Sequence, residues 1–413
     1  MSRVIVCRFG ELFLKSGNRR RFEAVLHKNM RLALAGIEGA RVEPVHGRVF
    51  VHVADDAAAS AAADRLQRVF GLVSISIAAV TAADLEEITQ AAVALAKTEQ
   101  QVSRPKTFKV EARRTNKKFP YISLEIARHV GGRIIEATGL GVDVHHPELR
   151  VGIEVAKDRA FVYAGERAAP GGLPVGVSGR ALLLLSGGID SPVAGWLSAK
   201  RGLALDAVYF HSPPYIGEKS RDKVLTLGRM LASWQALDSV TVVGFTETQK
   251  RLREAGPPEL AVVLYRRMMM RIADQIADQC HADGLITGEN LGQVASQTIQ
   301  NMAAIEAAAR HVVLRPLVTF DKVDTIALAR RIGTYETSVL PFDDCCSLFV
   351  PRHPATSARI QDAERAESKL DIAAEVSAAV AAAEKIMLSP RQRARGEPTA
   401  PTAPNDPANP DAI

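Results

Sequence analysis

The sequence predicts an α/β protein whose carboxyl-terminal half is a doubly wound parallel sheet and whose amino-terminal part holds smaller basic units. Three observations predict it. From residue 181 onward, short apolar runs alternate with helical patterns, the texture of βαβ units in a parallel sheet. Before residue 165 the order is mixed, with a hairpin pattern and interleaved helices. A chain of 413 residues also exceeds what one hydrophobic core accommodates, so two or three domains are expected.

Taken in order, residues 4–9 read as a strand, 10–18 as a loop, and 19–34 as an amphipathic helix ending near Gly36. Residues 41–53 alternate around His46-Gly47 and read as a hairpin. A second unit carries helical patterns near 84–97 and 122–138 and strands near 107–114, 149–155 and 159–164. The Pro/Gly-rich stretch Pro170-Gly-Gly-Leu-Pro174 to Gly179 reads as a linker. Beyond it come strand candidates at 181–185, 207–210, 239–244, 284–287 and 311–315, then an Ala-rich helix over 371–388. Residues 390–410 hold six prolines and almost no large apolar side chain, so a disordered tail is expected there. The expected division is 1–58, 59–167, 168–388 and a tail of 389–413.

Hydrophobic content of 47% and charged content of 24% are those of a soluble protein, and a net charge of +6 suggests a polyanionic partner. Four cysteines (Cys7, Cys280, Cys345, Cys346) are too few for a secreted disulfide framework, and no C-x-x-C pair suggests a zinc site. With no signal-peptide h-region and no apolar run of about 18 residues, no membrane span is expected and a reducing cytoplasm is the expected location.

The most informative turn is Ser186-Gly187-Gly188-Ile189-Asp190-Ser191, which follows the strand ending in Leu184-Leu185 and opens a helical pattern. A glycine-rich turn at a helix N-terminus presents unpaired N–H groups and cradles phosphate. Small residues let backbone approach the anion, the serines add hydroxyl donors, and Asp190 can hold a metal or position a nucleotide. No Lys follows the glycines, so this is not G-x-x-x-x-G-K-[ST]. The bland alternative is an ordinary strand-to-helix turn. Tyr209 and Phe210, ending the second strand, are placed to flank a base, though core aromatics read the same way. Arg266 is a ligand candidate on a helix, whereas the adjoining Met268-Met-Met270 reads as core.

Residues 104–118 hold seven basic side chains against one acidic. Lys109, Arg113, Arg114, Lys117 and Lys118 lie on or beside a strand, with Phe108 and Phe119 interleaved, and such a patch releases counterions on meeting nucleic-acid phosphates. A solvated charged face is the competing reading. No RRM or KH signature is visible, so recognition would rest on shape and backbone.

The SGGxDS turn resembles the PP-loop of ATP pyrophosphatases. With three other segments it resembles the ThiI family of tRNA uracil 4-sulfurtransferases over about residues 1–388. Those segments are Arg8-Phe9-Gly10-Glu11 with Leu14-Lys15-Ser16-Gly17-Asn18-Arg19, then Thr287-Gly-Glu-Asn-Leu-Gly-Gln-Val-Ala-Ser-Gln-Thr298. The last is Leu314-Arg-Pro-Leu317 with Asp321-Lys322 and Pro341-Phe-Asp-Asp-Cys-Cys346. The resemblance implies a ferredoxin-like N-terminal domain, an α+β THUMP RNA-binding domain and a PP-loop, adenine nucleotide alpha hydrolase-like domain that forms AMP.

It implies adenylation of uracil O4 of uridine 8 by ATP with Mg²⁺, then displacement of AMP by a cysteine persulfide. Leu184, Leu185, Ser186, Gly187, Gly188, Asp190, Ser191, Tyr209, Phe210, Arg266, Gly288 and Gln297 are the implied ATP contacts. Lys322 is an implied charge on a phosphate, and Lys15 and Arg19 join the RNA-binding candidates. Cys345 aligns best with the family's catalytic cysteine, with the adjacent Cys346 leaving the register open by one. Asp343 and Asp344 would raise a nearby thiol's pKa, so activation must come from elsewhere.

Some members carry a C-terminal rhodanese domain with a persulfide-bearing cysteine, where this sequence has the Pro-rich tail instead. Cys345 or Cys346 is then expected to take sulfur from a cysteine desulfurase, with the other thiol, or Cys280, resolving the disulfide. Without a C-x-x-C pair no iron–sulfur cluster is expected. The implied partners are tRNA, the desulfurase and a ThiS-type sulfur carrier for thiamine thiazole synthesis, and a homodimer is compatible with the resemblance. The competing functions are a non-catalytic tRNA-binding protein and a PP-loop ligase acting on a small metabolite.

Overall fold

The computed structural model describes residues 3–11, 18–45, 47–342, 345, 348–349 and 351–388. The first unit contains β1 (Arg3–Phe9), α1 (Arg19–Ala33), the hairpin β2 (Arg41–Val45) and β3 (Arg48–Val53), α2 (Asp56–Leu66) and β4 (Leu72–Ala82). β1 lies between β3 and β4, antiparallel to both. Strand side chains alternate faces: Ile5 and Cys7 join Leu26, Met30, Ala62, Leu66 and Ile75 in a core beneath the helices. Val4 and Val6 pack on the opposite face with Phe50 and Phe161, whose rings stack at 4.3 Å. The division expected at residue 58 falls inside α2, because Ala59, Ala62, Ala63 and Leu66 all fill this first core.

The second unit adds α3 (Leu85–Val102), β5 (Thr107–Arg114), α4 (Ser123–Thr138), β6 (Gly141–Val142), β7 (Leu149–Val155), β8 (Arg159–Ala164) and β9 (Arg167–Ala168). β4 carries β1 along one edge and β8 along the other, so both units share one sheet of order β2-β3-β1-β4-β8-β7-β5-β6, with β9 also on β4.

The carboxyl-terminal half runs β10 (Arg180–Leu184), α5 (Asp190–Lys200), β11 (Ala204–His211), α6 (Glu218–Ser233), β12 (Leu237–Gly244), α7 (Thr246–Ala255), α8 (Ala261–Cys280) and β13 (Gly284–Ile286). It continues through α9 (Ile299–Glu306), β14 (Val312–Leu314), α10 (Lys322–Ile332), α11 (Tyr335–Ser338), α12 (Ile360–Glu367), α13 (Ile372–Ala381) and β15 (Glu384–Met387). The sheet order is β14-β13-β10-β11-β12-β15, parallel except for β15. The chain runs outward from β10 to β12, then returns to β13 on the other side. The carboxyl end of β10 is thus a topological switch point, where doubly wound sheets bind ligands. β11 is buried along its whole length, with apolar cores on both faces of the sheet.

The helix expected over 371–388 stops at Ala381, and residues 384–387 form β15 on the edge of β12. Pairing there satisfies edge backbone groups of β12 and packs Ile386 and Leu388 on the core, which outweighs local helix propensity. The expected disordered tail lies outside the described residues. The stretch 170–179 is no loose tether: Leu173, Val175 and Val177 are buried, and Asn29 Nδ2 donates to the Val175 carbonyl at 3.0 Å. Phe70 of the first unit packs on Trp196 and Trp234 of the second half. Among the described residues no helix is long and apolar enough to cross a membrane.

Candidate active site

The switch point holds a cavity of about 200 Å³. β10 delivers Leu184 and Leu185 to its wall, and the turn that follows is knitted by its own serines. Ser186 N donates to Ser191 Oγ at 2.9 Å, the two hydroxyls lie 3.1 Å apart, and Gly188 N reaches Ser186 Oγ at 3.3 Å. Ile189 at the N-cap of α5 supplies no side-chain cap, so first-turn N–H groups are left for a ligand or water.

Gly288 explains how the turn meets β13. A Cβ there would stand 2.7 Å from Ser191 N and 2.8 Å from the Asp190 carbonyl carbon, both backbone atoms, so only glycine fits. Asp190 accepts from Lys322 Nζ at 2.7 Å and from Gln293 Nε2 at 3.0 Å, which joins α5, α10 and the 287–298 segment over the mouth of the cavity. Gln297 accepts from Asn290 N at 3.3 Å and lines the wall.

Tyr209 and Phe210 line the cavity and are at once buried core aromatics. Arg266 lines it too, and its Nη2 lies 2.8 Å from Glu289 Oε1. Its neighbour Arg267 points into the core, where Glu367 takes its Nε at 2.8 Å and its Nη2 at 2.9 Å. Glu289 is buried, which pushes its carboxyl up. Arg266 and Arg315, with hydrogen bonds from Arg315 and Thr287, outweigh burial and hold it below the usual carboxylate range. A permanent carboxylate thus pins Arg266.

Cys345 is buried, lines the same cavity and has its carbonyl held by Gln249 Nε2 at 3.0 Å. The structure therefore brings Leu184, Leu185, Ser186, Gly188, Asp190, Ser191, Tyr209, Phe210, Arg266, Gly288, Gln297 and Cys345 to one cavity, with Lys322 joined through Asp190. Gly187 sits in the turn without lining it. Cys346, Asp343, Asp344 and Lys15 lie outside the described residues.

Sequence reasoning missed Met269, Thr287, Glu289 and Gln293. The last three lie inside the Thr287–Thr298 motif, so the signal was present; Met269 was hidden in a run that reads as core.

Cys280 lies away from the cavity wall that α8 supplies. It ends α8 eleven residues beyond Met269, roughly 16 Å along the helix axis, and a disulfide needs Cα atoms within about 7 Å. It sits at the other end of the sheet, near Arg180 and Asp206 where β10 and β11 begin. Burial first, then Asp206, pushes its thiol up to about 11. Cys7 is buried in the first unit and pushed up to about 12.

The described basic candidates lie in the amino-terminal units, Lys109, Arg113 and Arg114 on β5, Lys117 and Lys118 in the turn after it, and Arg19 at the start of α1. Arg113, Lys117 and Lys118 are exposed, Lys109 pairs with Glu111 at 3.1 Å, and Arg19 pairs with Glu23 at 2.8 Å. Arg114 donates to the Phe119 carbonyl at 3.0 Å and so also shapes the loop. Arg113 and Arg114 border a second cavity, about 520 Å³, between the β2–β3 hairpin and the second unit.

The family model described as ThiI ferredoxin-like domain matches residues 4–76, THUMP domain matches 82–164, and Thiamine biosynthesis protein (ThiI) matches 176–372. A probable tRNA sulfurtransferase of Caldanaerobacter subterraneus is 45% identical over 372 residues, covering 90% of this chain and 96% of the relative. One from Moorella thermoacetica is 48% identical over 369 residues, covering 89% and 93%. Among solved structures, a 4-thiouridine synthetase–RNA complex with bound ATP superposes with a TM-score of 0.85 at 34% identity, covering 94% of this chain and all of that one.

Proposed function

The chain belongs to the ThiI family of tRNA sulfurtransferases, and from that premise we propose how it works. It is an ATP-dependent sulfurtransferase that converts a tRNA uridine to 4-thiouridine. One observation carries the site assignment: a phosphate-cradling turn, an arginine and a cysteine share the wall of one cavity. A half-open volume of about 200 Å³ is less than the ~300–1,000 Å³ of whole-ligand pockets. The triphosphate therefore lies on the open side, over the Ser186–Ser191 turn, with the base between Tyr209, Phe210 and Met269.

Uracil O4 attacks the α-phosphorus of ATP, the Pα–O–Pβ bond breaks, pyrophosphate leaves, and the N3 proton passes to solvent. Lys322 and the α5 N-terminus oppose the charge that develops on the leaving group. Asp190 and the serine hydroxyls are hard oxygen ligands that would hold Mg²⁺, whose charge would offset that of the nucleotide phosphates. The terminal sulfur of a Cys345 persulfide, loaded by a cysteine desulfurase, then attacks C4 and the C4–O bond breaks with AMP as leaving group. A second thiol attacks Cys345 Sγ, the S–S bond breaks to leave sulfur on C4, N3 regains its proton, and an external thiol reduces the new disulfide. Position 8 is the target we assign, the cytoplasm the location, and a ThiS-type carrier a second acceptor of the same sulfur.

The test offers the purified protein unthiolated tRNA, ATP, Mg²⁺, cysteine and a desulfurase, and follows AMP, pyrophosphate and nucleoside mass. One AMP and one pyrophosphate per 4-thiouridine is the expected result, with Asp190→Ala giving none of the three while still binding tRNA. Thiouridine formed without AMP release sinks the adenylation step.

A further inference from the structure

The segment that presents Cys345 is held at its two ends by buried polar side chains from elements outside the cavity wall. Lys223 of α6 donates to the Leu340 carbonyl at 2.8 Å. Gln249 of α7, fully buried, donates through Nε2 to the Cys345 carbonyl at 3.0 Å and accepts through Oε1 from Ser212 Oγ at 2.6 Å. A carbonyl can only accept, so the amide has one orientation, and the Ser212 hydroxyl must donate to it.

Ser212 is also fully buried and follows β11, the strand that places Tyr209 and Phe210 in the cavity. Around it the backbone is fixed twice more: Phe245 N donates to the His211 carbonyl at 2.8 Å, and Thr246 Oγ1 donates to the Pro213 carbonyl at 2.6 Å. The amide of Gln249 is therefore a strut between the strand end that flanks the nucleotide and the backbone of the cysteine.

We propose that Gln249 is the positioning residue that sets Cys345 against the nucleotide cavity for sulfur transfer, with Ser212 fixing its amide. The inference rests on the assignment of Cys345 as the persulfide carrier. Gln249 does not line the cavity, so its contribution belongs to the second half-reaction, attack of the terminal sulfur on C4, and not to formation of the adenylate. Holding reacting atoms near ~3–3.5 Å is worth about 100-fold when lost by an ångström.

The experiment compares two readouts on the full-length protein: tRNA-dependent exchange of labelled pyrophosphate into ATP, and thiouridine formation with a cysteine desulfurase as donor. In Gln249→Glu, assayed at a pH where the introduced carboxyl is ionised, Oε1 can still accept from Ser212 but the second oxygen faces the Cys345 carbonyl with nothing to donate. Thiouridine formation is expected to fall by about tenfold or more, with exchange and the KM for ATP within about twofold. Ser212→Ala, which removes one hydroxyl, is expected to lower transfer by about threefold and serves in its place should the glutamate variant not fold. Equal loss of both half-reactions, or loss of neither, overturns the positioning role. Cys345→Ser runs alongside: retained transfer there overturns the carrier assignment and this inference with it, whereas a dead Cys345→Ser with an unaffected Gln249→Glu overturns the inference alone.

Discussion

Gly288 shows most directly how one residue couples two parts of the site. It carries no side chain because the backbone of Ser191 and Asp190 occupies the space where a Cβ would stand. Gly288→Ala must push β13 away from the N-terminus of α5, a clash with backbone that no rotamer relieves. Overpacking of this kind costs about 1–3 kcal/mol, and we expect a lowered melting temperature together with a rise of about tenfold or more in the KM for ATP. Calorimetry and an ATP titration of AMP release check both, and an unchanged KM removes the coupling. The sequence showed Gly288 as the second residue of a recognisable motif; that it packs on a turn 97 positions earlier became visible only in the fold. The same contrast holds for the cysteines. Four thiols look alike in a sequence, yet place in the fold separates Cys345 on the cavity wall from Cys280 at the opposite end of the sheet.

Among the elements, α8 carries the heaviest duty. Its Arg266 faces the cavity, while Arg267 and Arg271 converge on Glu367 of α12, each guanidinium reaching both carboxylate oxygens. Burial pushes Glu367 up, but hydrogen bonds from Arg267 and Arg271 hold its carboxyl below the usual 4.5. A depressed carboxyl contributes stability that is complete above its unfolded value and is lost as pH falls through the folded one. The latch therefore weakens only below about pH 4.5. Glu367→Gln leaves two guanidinium groups without their anion, and breaking such a buried cluster costs about 3–5 kcal/mol. Urea unfolding at pH 7 is expected to show that loss, and at pH 3 the difference between the variant and the parent should be smaller. A constant difference at both pH values removes the ionic latch. Nothing local in the sequence pairs residue 267 with residue 367. The stretch 371–388 makes the same point, since its alanine-rich sequence favours helix locally and the open edge of β12 draws residues 384–387 into β15.

Across the whole molecule, a single nine-stranded sheet joins the two amino-terminal units into one basic body, packed on the carboxyl-terminal half through Phe70, Trp196 and Trp234. On the proposed function, an RNA held on that body is presented to the switch point. Lys117→Glu and Lys118→Glu are expected to weaken tRNA binding across all tRNA sequences, each lowering the slope of log affinity against log salt by about 1, with pyrophosphate exchange retained at saturating tRNA. An unchanged salt slope would mean that neither lysine meets a phosphate. The sequence by itself determined the alternation that makes the parallel sheet, the glycine turn at its switch point and the motif residues gathered there, because hydrophobic period and turn chemistry are local properties. Tertiary structure alone decided that α2 and β4 complete the first unit, that Cys280 is remote from the cavity, that Gln249 holds the Cys345 carbonyl and that Glu289 pairs with Arg266. Those outcomes turn on which surfaces meet, and burial and ion pairing between distant segments have no local signature.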